Sequence, residues 1–199
     1  MQRWCLVGLS LATLLTPCAV QTASARPGFA ATGHEVKGRA PERRASEAKG
    51  PYYVDFRART AASWGHAFVW YGKTSERAVE VAGLTPAGDT ATYMLGYFTF
   101  VPSETGASYG DLDPDYLTAS YRVYLNEADA KRVFAYIRKL QASSPVWSAE
   151  IANCTSFIGS IASFMGLETP NRWTRPEEYV NKLRDMNGGR QVVRLAAEQ

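Results

Sequence analysis

From residue 52 onward the apolar positions recur first every second residue and later with the spacing of a helix. In YYVDFRART, residues 52–60, Val54, Phe56 and Ala58 alternate with Asp55, Arg57 and Arg59, which predicts a strand with one buried and one wet face. GHAFVWYG, residues 65–72, is dense in aromatic and β-branched side chains and predicts a second strand. RAVEVAGL, residues 77–84, predicts a third, joined to the second as a hairpin by the polar turn KTSE. Between residues 85 and 118 glycine, proline and aspartate interrupt every pattern and leave one short strand near Tyr97–Val101. SYRVYL, residues 120–125, predicts another.

Helices follow. Asn126 caps one that runs to about Gln141, with Val133, Phe134, Ile137 and Leu140 on a single face. Cys154 begins the next behind Asn153 as N-cap; Phe157, Ile158, Ile161, Ala162 and Met165 keep helical spacing and Gly166 stops it. TRPEEYVNKLRDMNGG, residues 174–189, opens with Thr174 and Glu177 as a capping box, turns Tyr179, Val180 and Leu183 inward and stops at Gly188. Strands first and helices later predict an α+β domain over residues 51–190, with 191–199 as a C-terminal tail.

The chain before this domain has a different character. Arg3, an apolar run from Trp4 to Leu15, Pro17 and the small-residue site Ala23-Ser24-Ala25 have the layout of a secretory signal peptide over residues 1–25. The run falls short of the ~20 residues that span a bilayer. No second run of this kind occurs, so the expectation is an exported protein, periplasmic or secreted, with no transmembrane segment. A lipid-modified Cys18 is the alternative export form. Residues 26–50, rich in Gly, Ala, Pro and charge, read as a flexible basic tether.

Charge adds an exclusion. The chain carries a formal net charge of +3, with six basic and three acidic residues in the tether against fifteen and sixteen in residues 51–199. The basicity therefore lies in the tether, and the domain gives no nucleic-acid footprint. One cysteine, one histidine and scattered acids in the domain make no zinc ligand set, and no glycine-rich phosphate cradle is present, so no cofactor is expected. The loop YGDLDPDY, with Asp111, Asp113 and Asp115, lacks the glycine and terminal glutamate of a calcium loop and reads as a solvated turn.

Removing the leader leaves Cys154 as the one cysteine and His66 as the one histidine of the domain. A thiol attacks a carbonyl as thiolate, and two local features favour that form. At a helix start, unpaired amides and the dipole stabilise an anion, and a neighbouring imidazole can take the proton. Together they predict alkylation below the free value of roughly 8.5. Both residues also fit a core: Cys154 shares the stripe of Phe157 and Ile158, and His66 shares a strand face with Phe68 and Trp70.

A glycine-preceded histidine on a strand, a hairpin, and a late helix opening Asn-Cys-x-x-Phe resemble the circularly permuted branch of the NlpC-type papain-like peptidases, which includes YiiX-like and lecithin:retinol acyltransferase-like proteins. His66 and NCTSF, residues 153–157, carry the likeness. It implies a permuted papain-like domain, with an antiparallel sheet and the His strand before the Cys helix. It also implies a cysteine hydrolase or acyltransferase that cleaves an amide or ester, with Cys154 as nucleophile and His66 as base. Cell-wall peptides or lipids are the implied substrate partners.

Such sites add a polar group that orients the imidazole, and Glu80 is the one carboxylate on the third strand. Its face depends on hairpin register, because a one-residue slip flips every side chain. Pairing Tyr71 with Arg77 puts Glu80 on the His66 side, and pairing Gly72 with Arg77 puts it on the other. Glu80 equally fits a solvent-facing position, and Tyr53, Tyr71 or a backbone carbonyl could orient the ring. The alternative function is a non-catalytic peptide- or lipid-binding module of the cell envelope on the same fold.

Overall fold

A computed structural model describes residues 50–60 and 64–196. The expected signal peptide, the tether up to residue 49 and the last three residues of the tail lie outside the described residues.

The first strand, β1 (Tyr52–Arg59), has seven of its eight residues buried, not the alternate ones. It lies between β2 (His66–Lys73) and β6 (Leu117–Leu125) in an antiparallel sheet of order β3-β2-β1-β6, with β3 spanning Glu80–Gly83. On the core face Val54, Phe56 and Ala58 lie opposite Tyr71, Val69 and Ala67 of β2, and Val123, Tyr121 and Ala119 of β6. On the other face the polar residues cover one another. Asp55 accepts from Arg57 at 3.0 Å, Arg122 at 2.8 Å and Ser120 at 2.7 Å, and the Arg57 guanidinium lies 3.7 Å over the Trp70 ring. Charge-assisted hydrogen bonds offset the desolvation that burial of Asp55 would otherwise cost. The wet face expected for this strand is thus a closed polar layer.

Three short stretches that sequence periodicity reads as loop are regular. Asp89 accepts the Thr92 N–H and starts α1 (Thr90–Leu95), so the strand expected near Tyr97 begins later, as β5 (Val101–Glu104). β5 pairs with β4 (Thr85–Pro86) and β7 (Val146–Trp147) in a second antiparallel sheet of order β4-β5-β7.

The long helices follow expectation more closely. Asn126 caps α2 (Glu127–Ala142) by accepting the Asp129 N–H, and Asn153 caps α3 (Cys154–Phe164). In α4 (Pro176–Met186) the N-cap is Arg175, which makes no side-chain cap bond. The expected Thr174–Glu177 capping box does not form, because Pro176 at the first helical position presets the backbone one residue later. α3 packs on β2, and α4 on β6 and β1, burying Ile158, Ile161, Tyr179 and Leu183.

At the start of the expected tail, Val192 forms one parallel bridge with Tyr124 of β6. Tyr124 N–H donates to the Gln191 carbonyl at 2.7 Å, Val193 N–H donates back to Tyr124 at 3.2 Å, and Val193 is buried. Among the described residues no helix is long and apolar enough to cross a membrane.

Candidate active site

The start of α3 is built to leave donors over. Asn153 Oδ1 accepts the Ser156 N–H at 2.9 Å, Ser156 Oγ accepts the Asn153 N–H at 3.0 Å, and Asn153 Nδ2 donates to the Ala149 carbonyl at 2.8 Å. The first helical bond within the turn is Phe157 N–H to Asn153 O. The amides of Cys154 and Thr155 have no helical acceptor, as is general at helix N-termini. Together with the N–H of Ala67, the neighbour of His66, they act to favour the anionic form of Cys154 Sγ.

This cradle does not make Cys154 a resting thiolate. Burial pushes the thiol above its ordinary value, and the Ala67, Thr155 and Cys154 amides and Arg59 only partly oppose it. The sequence expectation of a thiol acidified below the free value is reversed: sulfur partly enclosed in the core loses more from desolvation than it gains from three N–H groups.

His66 stands at the first position of β2, opposite Arg59, and is 5% exposed. Its ring stacks on Phe68 at 5.6 Å and 11°. Its Nε2 is buried without a hydrogen-bond partner, 3.9 Å from Asp111 Oδ2. Burial lowers the imidazole pKa to about 4; the Asp111 carboxylate opposes this and Arg59 adds to it. At neutral pH the ring is therefore uncharged, and its approach to Asp111 is not an ion pair.

Gly83 makes the room for that ring. An added Cβ there would lie 2.8 Å from His66 Nε2.

Asp111 is 2% exposed, which corrects its reading as part of a solvated turn. It receives Arg59 Nε at 2.5 Å and the Ser108 N–H at 2.7 Å. Trp70 Nε1 donates to its carbonyl at 3.1 Å. Asp113 and Asp115 of the same loop are exposed as expected.

Glu80 is not part of this cluster. β3 pairs Glu80 with Tyr71 and Gly83 with Phe68, a register that sets Glu80 on the Tyr71 face and Gly83 on the His66 face. The Glu80 carboxylate accepts Tyr71 Oη at 2.9 Å and Arg138 Nη2 at 3.0 Å. The carboxylate that the structure sets beside His66 is Asp111, which comes from a loop that sequence reasoning set aside. Nothing in the DLDPD pattern separates its first aspartate from the other two; the signal would have been Arg59, a buried cation in need of a partner.

His66 and Cys154 line one cleft of about 1230 Å³, whose walls include Tyr93, Tyr97 and Trp147. Tyr93 and Tyr97 share a hydroxyl contact of 2.7 Å, and both rings pack on Trp147. Among the described residues no group of three or more His, Cys, Asp or Glu could hold a metal ion. Comparison of the chain with protein-family models, with curated proteins and with solved structures finds no match.

Proposed function

We propose that the protein is a cysteine hydrolase or acyltransferase on a permuted papain-like layout, acting on an amide or ester carried by a peptide, cell-wall fragment or lipid. The observation that carries the reading is the convergence of Cys154, at a capped helix start, and His66, on β2, on one cleft, with Asp111 held by Arg59 beside the His66 ring. A packing cysteine needs neither a buried histidine on the same cleft nor a buried carboxylate beside that histidine.

The proposed chemistry starts from neutral partners. As Sγ bonds the substrate carbonyl carbon, the thiol proton passes to His66. With Nε2 turned to Asp111, Nδ1 is the ring nitrogen left to take it. The new imidazolium then faces the Asp111 carboxylate, a charge present before the reaction, so the stabilisation needs no reorganisation. Collapse breaks the C–N or C–O bond, and His66 returns the proton to the leaving amine or alcohol. Water attacks the thioester to give the acid and restore the thiol, or an acceptor nucleophile takes the acyl group.

The test is covalent. Incubation with p-nitrophenyl acetate should leave one acetyl group on Cys154, found by peptide mass spectrometry. It should be absent in Cys154→Ala and form about 10²- to 10⁴-fold more slowly in His66→Ala, the usual worth of a general base. Equal acylation of the two proteins other than at Cys154 would end the proposal.

One observation favours the binding-module reading, namely the raised thiol and the imidazole at about 4, which keep the resting pair uncharged. A protein that binds peptide or lipid without ever acylating Cys154 would establish it. Export is part of the proposal, with Arg26 as the first mature residue; N-terminal sequencing that instead found a lipid-modified Cys18 would replace it.

A further inference from the structure

Charge in the cleft is divided between its walls. The carboxylates Asp89 and Glu104 lie on the wall formed by α1 and β5. Arg172 and Arg175 line it from a different segment, the turn that leads into α4. Arg59, the remaining arginine of the lining, is committed to Asp111, the Thr60 carbonyl and Ser108 Oγ. Arg172 and Arg175 have no carboxylate partner among the described residues. Each lies over an indole instead: Arg172 is 5.2 Å from the Trp173 ring and Arg175 is 4.9 Å from the Trp64 ring.

The turn is anchored to the nucleophile helix. Thr155 Oγ1, on the residue after Cys154, donates to the Arg172 carbonyl. Trp173 N–H donates to Asn171 Oδ1 at 3.0 Å, and Trp173 Nε1 to the Glu150 carbonyl at 3.1 Å. Stacking on an aromatic face restrains a guanidinium while leaving its N–H edge open, and that planar edge matches a carboxylate in bidentate fashion.

We propose that the Arg172–Arg175 turn is an anion subsite that takes a carboxylate carried by the acyl group of the substrate. The acyl group is the part that becomes bonded to Sγ, and this turn is hydrogen-bonded to the first turn of the helix that carries Sγ. Asp89 and Glu104, the carboxylates of the lining, disfavour an anion beside α1 and β5. The inference rests on the acyl-transfer reading and narrows it to acidic acyl donors.

The test uses the full chain and pairs of p-nitrophenyl esters matched in chain length, the hemisuccinate with the butyrate and the hemiglutarate with the valerate. Acylation of Cys154 is followed by the p-nitrophenol burst. The anionic member of at least one pair should react about tenfold faster, the worth of one charge-assisted contact. The ratio should fall toward one in the double variant Arg172→Gln/Arg175→Gln, and also with rising salt. A ratio near one in the unaltered protein, or one that survives in the double variant, overturns the subsite while leaving the acyl-transfer reading in place. A second measurement is independent of acylation: glutarate should slow iodoacetamide labelling of Cys154, and lose that effect in the double variant. Protection by glutarate without acylation by any ester would sink the hydrolase reading and keep the subsite. Protection by inorganic phosphate alone would overturn the carboxylate assignment, and no protection by either, with no acylation, would remove both.

Discussion

Gly83→Ala is a one-methyl test of whether the His66 ring is held for chemistry. The added Cβ would lie 2.8 Å from His66 Nε2, 3.2 Å from Cε1 and 3.1 Å from Phe68 Cβ, whereas unstrained heavy atoms sit roughly 3.5–4.0 Å apart. The ring must therefore retreat by about 0.7 to 1.2 Å, although it is stacked on Phe68 and enclosed beside Asp111. Overpacking of this size costs about 1–3 kcal/mol. Gly83 has no positive φ, so the loss of backbone freedom in the unfolded chain returns about 0.4–1 kcal/mol. The net cost, at most about 2.5 kcal/mol, is below the ~5–15 kcal/mol that holds a typical domain, and the fold should survive. Function should not fare so well, since a misplacement of ~1 Å at a reacting group can cost about 10²-fold in rate. The assay is the p-nitrophenyl acetate burst beside a thermal melt, with Gly106→Ala as control because a Cβ there meets nothing within 4 Å. Gly83→Ala that acylated Cys154 at the unaltered rate would show that the ring position is immaterial, and the base assignment would go with it.

Three further outcomes follow from the same geometry. The acid limb of the acylation rate should fall near pH 4 and not near 6.5, because the base must be neutral to accept a proton and its folded pKa is about 4; Asp111→Asn, which removes the charge that raises it, should lower both limb and rate, and a limb at 6.5 refutes the assignment. Stability should decline on acidification through the same residue: below about pH 6.5 the unfolded chain takes up a proton that folded His66 refuses until about 4, so about 3 kcal/mol is lost across that window. Urea melts of the unaltered protein against His66→Phe at pH 7 and pH 4.5 measure it, and a variant with the same pH dependence counts against the buried neutral ring. Glu80→Gln should leave acylation unchanged and cost under about 1 kcal/mol, as befits a half-exposed pair with Arg138; a hundredfold loss of acylation would restore Glu80 to the site.

What could be read from the sequence was whatever repeats along the chain. Alternation in residues 52–59 and helical spacing after Asn126 and Cys154 located β1, α2 and α3, because a buried face needs apolar residues at a fixed period. Short elements escaped for want of period: α1 has six residues and depends on a single Asp89 cap. Contacts between remote segments escaped for a different reason. Glu80 was undecidable because its face hinges on one residue of register, and Asp111 was hidden because its meaning lies in Arg59, 52 residues earlier. Thr174 misled, since a local capping pattern yielded to the proline two residues later. His66 and Cys154 were legible as candidates by their scarcity, while the uncharged state of the pair follows from packing density, which no spacing encodes.

The segment alongside β6 bears on how copies of this protein behave toward one another. A lateral strand normally presents bare ladder groups to any passing chain, and such borders nucleate sheet-to-sheet aggregation. Here the Tyr124 N–H and carbonyl are taken by Gln191 and Val193, and the Tyr121 hydroxyl donates to the Arg190 carbonyl at 2.6 Å. Residues 190–193 thus occupy this border at Tyr124, where another chain would otherwise find free ladder groups. Loss of the residues from 191 onward would free the Tyr124 ladder groups and uncover the core beside buried Val193, giving another chain a place to pair.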